Sequence, residues 1–191
     1  MMKKILLHTC CAPCSVFCVE SLREESYEPV AFWYNPNIHP YQEYVARRNA
    51  LMEYAPRIGM ELVVKEEYGL RAFVQATVGD LRRRCNYCYA VRMEETARYA
   101  YEHGYDVFTT TLLVSPYQQH ERIAETAERA AERYGVRFVY RDFRRGFWDG
   151  QAKAREEGLY MQKYCGCVFS EEERYKKQIA RDLARNEKAG L

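Results

Sequence analysis

Five short runs of β-forming residues, separated by stretches with helical spacing, constrain this chain more than any other feature. Lys3 to His8 (KKILLH), Pro29 to Tyr34 (PVAFWY), Glu61 to Lys65 (ELVVK), Asp106 to Leu113 (DVFTTTLL) and Val136 to Tyr140 each read as a strand. After the first run, Val16, Val19 and Leu22 recur at helical spacing, and Pro40 sits in the first turn of a second helix reaching about Ile58. Tyr68 to Val78 gives a short helix, and a long one starts around Cys85, carrying Val91, Met93, Tyr99 and Tyr101 towards the stop signal Gly104. A charged helix ends near Gly135, Gly146 to Glu157 is helical, and Gly158 to Cys167 is a loop. Ser170 and Glu173 are spaced as a capping box for a polar C-terminal helix. Alternation of short buried strands with helices predicts an α/β fold: a five-stranded parallel sheet with helices on both faces.

A length of 191 residues suits one domain, residues 1–191, with the part from about 146 to 191 as a cysteine-containing C-terminal extension. Hydrophobic residues at 48% and charged residues at 29% exclude a disordered or collagen-like chain. Apolar runs such as Ile5 to Leu7 fall far short of the ~20 residues that cross a bilayer, so no membrane association is expected. A leader pattern is lacking at the start, which makes the cytoplasm the default compartment.

Eight cysteines in a reducing compartment point to metal or redox chemistry rather than to a disulfide framework. They fall in three groups: Cys10, Cys11, Cys14 and Cys18; Cys85 and Cys88; Cys165 and Cys167. In doubly wound sheets, ligands bind at the carboxyl ends of strands where the winding reverses. If the strand order is 3-2-1-4-5, the loop Thr9 to Cys14 after strand one faces the loop Val114 to Gln119 after strand four across that crevice. Cysteines stand where a dinucleotide fold would put a glycine-rich turn, so a phosphate cradle is not expected.

Thiolates suit soft or borderline metals and iron–sulfur clusters, and Cys10, Cys11, Cys85 and Cys88 can supply four of them. The spacing of Cys85 and Cys88 lets two thiolates grip one centre at a helix start whose dipole favours anions. Ligand count allows zinc as well as iron–sulfur. Cys14 either ligates a second metal or packs, and Cys18 reads as a small buried hydrophobe. Cys165-Gly166-Cys167 is too closely spaced for a comfortable structural disulfide, which makes it a candidate two-electron relay.

Of the four histidines, His120 ranks first for acid chemistry because it follows Ser115-Pro116-Tyr117 at the crevice. His8 reads as core or as a neighbour of the metal ligands, His39 as solvent-exposed, and His103 as a helix C-terminal charge. Asp80, five residues before Cys85, suits a surface turn better than a metal. Net charge is only +2, yet 21 of the 29 basic residues are Arg, clustered at Arg82 to Arg84 and at Arg137, Arg141, Arg144 and Arg145. Such patches fit phosphate binding or surface ion pairing, and the 17 tyrosines fit base stacking or core.

Cys10-Cys11-Ala12-Pro13-Cys14, Cys85-x-x-Cys88 between Arg84 and Tyr89, Ser115-Pro116-Tyr117, and Tyr164-Cys165-Gly166-Cys167 stand together in one chain. The set resembles the epoxyqueuosine reductase family of the QueH type, the cobalamin-independent one, over nearly the whole chain to Cys167. The resemblance implies a Rossmann-like HUP fold carrying a 4Fe-4S cluster with an additional mononuclear iron. It implies reduction of the epoxide of epoxyqueuosine at the wobble position of tRNA to queuosine, the last step of queuosine biosynthesis, with electrons from an unidentified donor. Carried over, Cys10, Cys11, Cys85 and Cys88 match the cysteines of the family motif, which makes them the candidate cofactor ligands, and Cys165 with Cys167 match its C-terminal pair; spacing leaves open which thiolates hold the cluster and which the second iron. His120 or Tyr117 would protonate the leaving oxygen.

Three other readings compete. An iron–sulfur-dependent tRNA thiolation enzyme on the same fold needs ATP and a Ser-Gly-Gly loop that strand one does not lead into. A non-catalytic zinc-stabilised RNA-binding module gives the C-x-C pair no purpose. A thiol–disulfide oxidoreductase using Cys165 and Cys167 alone leaves six cysteines surplus.

Overall fold

The computed structural model describes residues 2–189, so residues 190 and 191 of the expected C-terminal extension, like residue 1, lie outside the described residues. Strand β1 (Lys3–His8) carries Ile5, Leu6 and Leu7, all fully buried, each contributing about 1.5–3 kcal/mol by leaving water. A run buried on both sides is what a central parallel strand requires. It pairs with β2 (Tyr27–Trp33) on one side and β4 (Val107–Thr110) on the other, while β3 (Leu62–Val64) and β5 (Arg137–Phe138) form the edges. The order is β3-β2-β1-β4-β5 and every pairing is parallel, the α/β arrangement the alternation predicts.

Three strands are shorter than their sequence pattern, β3 by one residue at each end and β4 and β5 by more. β4 stops at Thr110 because the Thr110 hydroxyl accepts from the Leu112 N–H and starts a 3-10 turn over Thr111–Val114. β5 keeps two residues at the sheet edge before the chain leaves over residues 140–143. The helices are α1 (Ala12–Glu24), α2 (Tyr41–Arg57), α3 (Leu70–Thr77), α4 (Arg84–Glu102), α5 (His120–Tyr134), α6 (Phe147–Glu156) and α7 (Val168–Ala189). α1 packs against α2 and α6, and α4 against α3 and α5, so two helical groups accompany the sheet. Pro40 stands just outside α2 at its cap rather than in its first turn. α5 ends as expected at Gly135, whose φ of 68° lets the Val136 N–H reach back to the Ala131 carbonyl.

The C-terminal helix differs in its start. It begins at Val168, before Ser170, so Ser170 and Glu173 do not form the expected capping box. Ser170 Oγ instead donates to the Cys167 carbonyl at 2.7 Å and accepts from the Gly166 N–H at 3.1 Å, bracing the C-x-C turn. Glu173 receives both 2.6 Å bonds of Arg84 Nη2, joining the start of α4 to α7.

Candidate functional site

β1 ends at His8, and α1 starts four residues later with Cys11 at its cap and Pro13 in its first turn. That short connection lifts Cys10, Cys11 and Cys14 to the carboxyl edge of the sheet, between β2 and β4, where the strand order reverses. Their three Sγ atoms lie within 4.8 Å of one another. The loop is fixed from both neighbours. The Cys10 N–H donates to Thr111 Oγ1 at 3.1 Å, that hydroxyl faces Cys10 Sγ at 3.4 Å, and Asn35 Nδ2 donates to the Thr9 carbonyl at 3.0 Å. Gln162 Nε2 reaches Cys11 Sγ at 3.0 Å and Cys14 Sγ at 3.5 Å.

Hydrogen bonds from Cys11 and Cys14 hold the Cys10 thiol well below its ordinary range. Burial raises Cys11, and the bonds with Cys10 and Cys11 raise Cys14. One thiolate is thus favoured in the bare triad, and a bound cation would be needed to ionise the other two. Cys18 is fully buried behind the triad, the packing role its spacing suggests. His8 lies beneath: Nδ1 meets Thr110 Oγ1 at 2.8 Å and Nε2 the Tyr34 carbonyl at 3.3 Å. Burial, helped by the charge of Arg92, pushes its pKa down to about 3, so it is a neutral strut across three strand ends.

The other four cysteines form a second group. Cys85 and Cys88 lie on the first turns of α4 and face Cys165 and Cys167, close enough that the neighbouring sulfurs add to the upward effect of burial. Burial takes Cys88 to about 12, opposed by Arg92, whose Nη2 lies 2.8 Å from its Sγ and whose Nε donates to its carbonyl. Cys88 and Cys167 pack with Phe73, while Cys165 is exposed. The expected foursome Cys10, Cys11, Cys85 and Cys88 is therefore shared between two groups, and among the described residues only Cys10, Cys11 and Cys14 converge at ligand separation.

The C-x-C turn has no strand beneath it and is carried by distant side chains. Arg47 of α2, only 1% exposed, donates to the Cys165 carbonyl at 2.8 Å and the Tyr164 carbonyl at 2.9 Å, and its Nε meets Glu43 at 2.7 Å. The Tyr164 hydroxyl donates to the His39 carbonyl at 2.6 Å, and the His39 N–H donates to the Gly166 carbonyl at 2.8 Å. Gly166 has φ of 154°, and a Cβ there would sit 3.3 Å from Ile38 and 3.4 Å from Arg47, so glycine lets the turn press onto its support.

A cavity of about 660 Å³ opens over both groups, lined among others by Cys10, Cys14, Arg47, Arg92, Tyr117 and Cys165. Tyr117 thus lies where the sequence places it. His120 does not line the cavity: it is buried, with Nε2 3.1 Å from the Ser115 carbonyl. His39 is buried rather than exposed, packed on Phe73 and Tyr68 with neither ring nitrogen hydrogen-bonded, and burial lowers its pKa to about 4. Asp80 caps the surface turn Leu81–Arg83, as expected. Arg82 and Arg83 are exposed, both pair with Asp80, and they border a second concavity of about 850 Å³ with Arg122 and Arg129; Arg141 pairs with Glu25 and Arg144 with Asp142.

Sequence reasoning missed Arg47, Arg92, Gln118 and Gln162. Gln118 Nε2 lies 3.2 Å from Cys165 Sγ. A signal existed for the arginines: Arg47 falls on the face of Tyr44, Leu51 and Tyr54, and Arg92 on that of Cys88, Tyr89 and Thr96, charged residues at core spacing. Gln118 lies in the Val114 to Gln119 loop that the sequence already sets at the crevice, whereas nothing local marks Gln162.

Residues 5–173 match the family described as Epoxyqueuosine reductase QueH. Three relatives bearing that description are similar over most of their length. The one from Dehalococcoides mccartyi is 37% identical over 177 residues, covering 93% of this chain and 97% of the relative. That from Thermotoga maritima is 36% identical over 186 residues, with 92% and 94% covered. That from Haemophilus influenzae is 34% identical over 176 residues, with 87% and 71% covered. A match that starts in β1, spans every cysteine and ends in α7 shows that the chain belongs to the epoxyqueuosine reductase QueH family.

Proposed function

We propose that this protein is an epoxyqueuosine reductase acting on tRNA that carries epoxyqueuosine at the wobble position. Residues 1–191 would form one HUP-like catalytic domain, with the segment from about 146 as its cysteine-bearing extension. The observation that carries the reading is the three-thiol set Cys10, Cys11 and Cys14 at one cavity that also holds Cys165.

The residues fit an iron–sulfur group. Soft donors converge, a helix start and two buried guanidiniums, Arg47 and Arg92, offset negative charge, and Gln162 and Thr111 supply hydrogen bonds to sulfur. Cys10, Cys11 and Cys14 would hold iron at the triad and Cys85 and Cys88 would supply thiolates from the second group, between them serving the 4Fe-4S cluster and the additional iron. When bound, this iron supplies one-electron transfers and a Lewis-acid contact for the epoxide oxygen.

The chain's own residues supply the remainder. Oxidation of the Cys165 and Cys167 dithiol to a disulfide releases two electrons and two protons. Those balance conversion of the epoxide to an alkene and water, and an external donor then restores the dithiol. Tyr117, which lines the cavity, would protonate the departing oxygen, while His120 would act from behind the Ser115 carbonyl. Arg82, Arg83, Arg122 and Arg129 offer a track for tRNA phosphates outside the cavity.

Iron and acid-labile sulfide, measured on protein purified without oxygen, test the reading together with turnover of epoxyqueuosine tRNA. About four or five irons and four sulfides per chain, with formation of queuosine, are expected. Stoichiometric zinc without sulfide would remove the electron source and leave a structural RNA-binding module.

A further inference from the structure

Beside the cavity mouth stand three aromatic rings, two of them largely in water. Tyr117 is 77% exposed and Trp148 is 65% exposed, with half-buried Phe147 between them; Tyr117 and Phe147 line the cavity, and Trp148 extends the row beyond it. The Tyr117 and Phe147 centroids lie 6.0 Å apart and those of Phe147 and Trp148 4.9 Å apart, both edge to face. Large rings kept in solvent cost stability, so a continuous trio at a cavity rim calls for an occupant. Two of the rings stand on a helix that packs closely on its neighbour. A Cβ on Gly146 would sit 2.1 Å from the Phe17 ring, so glycine lets the start of α6 seat directly on α1, the helix that begins at the cysteine loop.

The same cavity is lined by Lys163, Arg174 and Lys177, exposed cations from α7 and the loop before it. None of the three has an ion-pair partner among the described residues. Apolar ring faces beside unpaired cations match a single-stranded nucleic acid, whose bases stack while its phosphates seek charge. A protein partner would not require both.

We propose that this rim is the anticodon-loop clamp: unpaired bases stack on Tyr117, Phe147 and Trp148 while phosphates lie along Lys163, Arg174 and Lys177. The assignment rests on tRNA being the substrate and names the residues that grip it. It also gives Tyr117 a second task beside the proton transfer proposed for it.

Trp148 provides the test, because the other tryptophan, Trp33, is fully buried. Titration of the iron-loaded protein with a short anticodon stem–loop RNA lacking the epoxide should quench Trp148 emission as binding saturates. Trp148→Ala should weaken binding by about five- to 150-fold, and Trp148→Phe should recover most of it. Lys177→Gln should lower the slope of log affinity against log salt by about one. Saturable binding with unquenched Trp148, or unchanged affinity in Trp148→Ala, would overturn the clamp in favour of the Arg82 to Arg129 concavity. Quenching by a redox protein but not by RNA would overturn it in favour of a docking site for the electron donor. Failure of the clamp is separable from failure of the reductase reading, since RNA can quench Trp148 without any epoxide being reduced, and epoxide can be reduced without quenching.

Discussion

Cys10 and Cys165 line the same cavity but are held there by different means. Cys10 stands two residues beyond β1, in a loop pinned by backbone and hydroxyl bonds to the ends of β2 and β4. Cys165 stands in a turn with no strand under it, suspended from Arg47, which is 118 residues away in sequence, and from the backbone of His39. A wall built on the central strand inherits the rigidity of the sheet. A wall hung from side chains can be loosened without unfolding anything else, which suits a dithiol that must change partners as it is oxidised and reduced.

The largest effect is expected on the strand-borne wall. Cys11→Ser removes one of three converging sulfurs and should cut turnover by more than about a hundredfold, beyond what loss of an outer partner costs, with iron and sulfide falling in step. Full iron content in that variant would dissociate the triad from the metal.

Arg47→Met attacks the suspended wall. It strips a buried charge from Glu43 and from two carbonyls, and should cost about 3–5 kcal/mol in urea unfolding while speeding alkylation of Cys165. Arg47→Lys keeps the charge without the fork, so unchanged Cys165 reactivity there would show that charge, not geometry, holds the turn.

Gly146→Ala probes the link between α1 and the aromatic rim. The added methyl meets Phe17 and should destabilise by about 1–3 kcal/mol, read from thermal melting, with weaker stem–loop binding. An unshifted melting temperature would mean that the contact yields freely.

His39 tests the far anchor of the suspended wall through pH. Its folded value of about 4 lies below its ordinary 6.5, so above pH 6.5 it is neutral in both states. As pH falls from 6.5 towards 4, the unfolded chain takes up a proton that the native chain refuses. Stability therefore drops, by at most about 1.4 kcal/mol per pH unit. His39→Phe should flatten the dependence between pH 4 and 6.5, leaving the part due to His8; an unchanged slope would show that His39 is solvated in the folded state.

The smallest effect belongs to His120→Gln, since glutamine can still donate to the Ser115 carbonyl. Turnover should fall by less than about tenfold, and a loss of a hundredfold or more, the scale of general acid catalysis, would transfer the proton-donor role from Tyr117 to His120.

Much of this was legible along the chain, for a physical reason. The alternation of strands and helices and the place of the Cys10 to Cys14 loop follow from local periodicity and from the rule that parallel crossovers put such loops at one edge; the switch point was legible once the order 3-2-1-4-5 was assumed, and the structure has that order. Short-range signals also fixed the end of α5 at Gly135 and the turn at Asp80, because capping depends on residues a few positions apart. The same locality misled at Ser170, where the capping-box spacing was present but its hydroxyl braces Gly166 and Cys167.

What the linear chain determined, then, is the sheet, the place of its ligand edge and the supply of thiols. What tertiary structure alone decided is how those thiols divide into two groups, that His39 is buried while His120 stands behind the cavity wall, and that Arg47 and Arg92 lie among the cysteines. Helical and strand periods are written over a few residues. Core spacing marks Arg47 as buried, but its partners, the Tyr164 and Cys165 carbonyls, arrive from more than a hundred residues away, and no local pattern encodes that arrival.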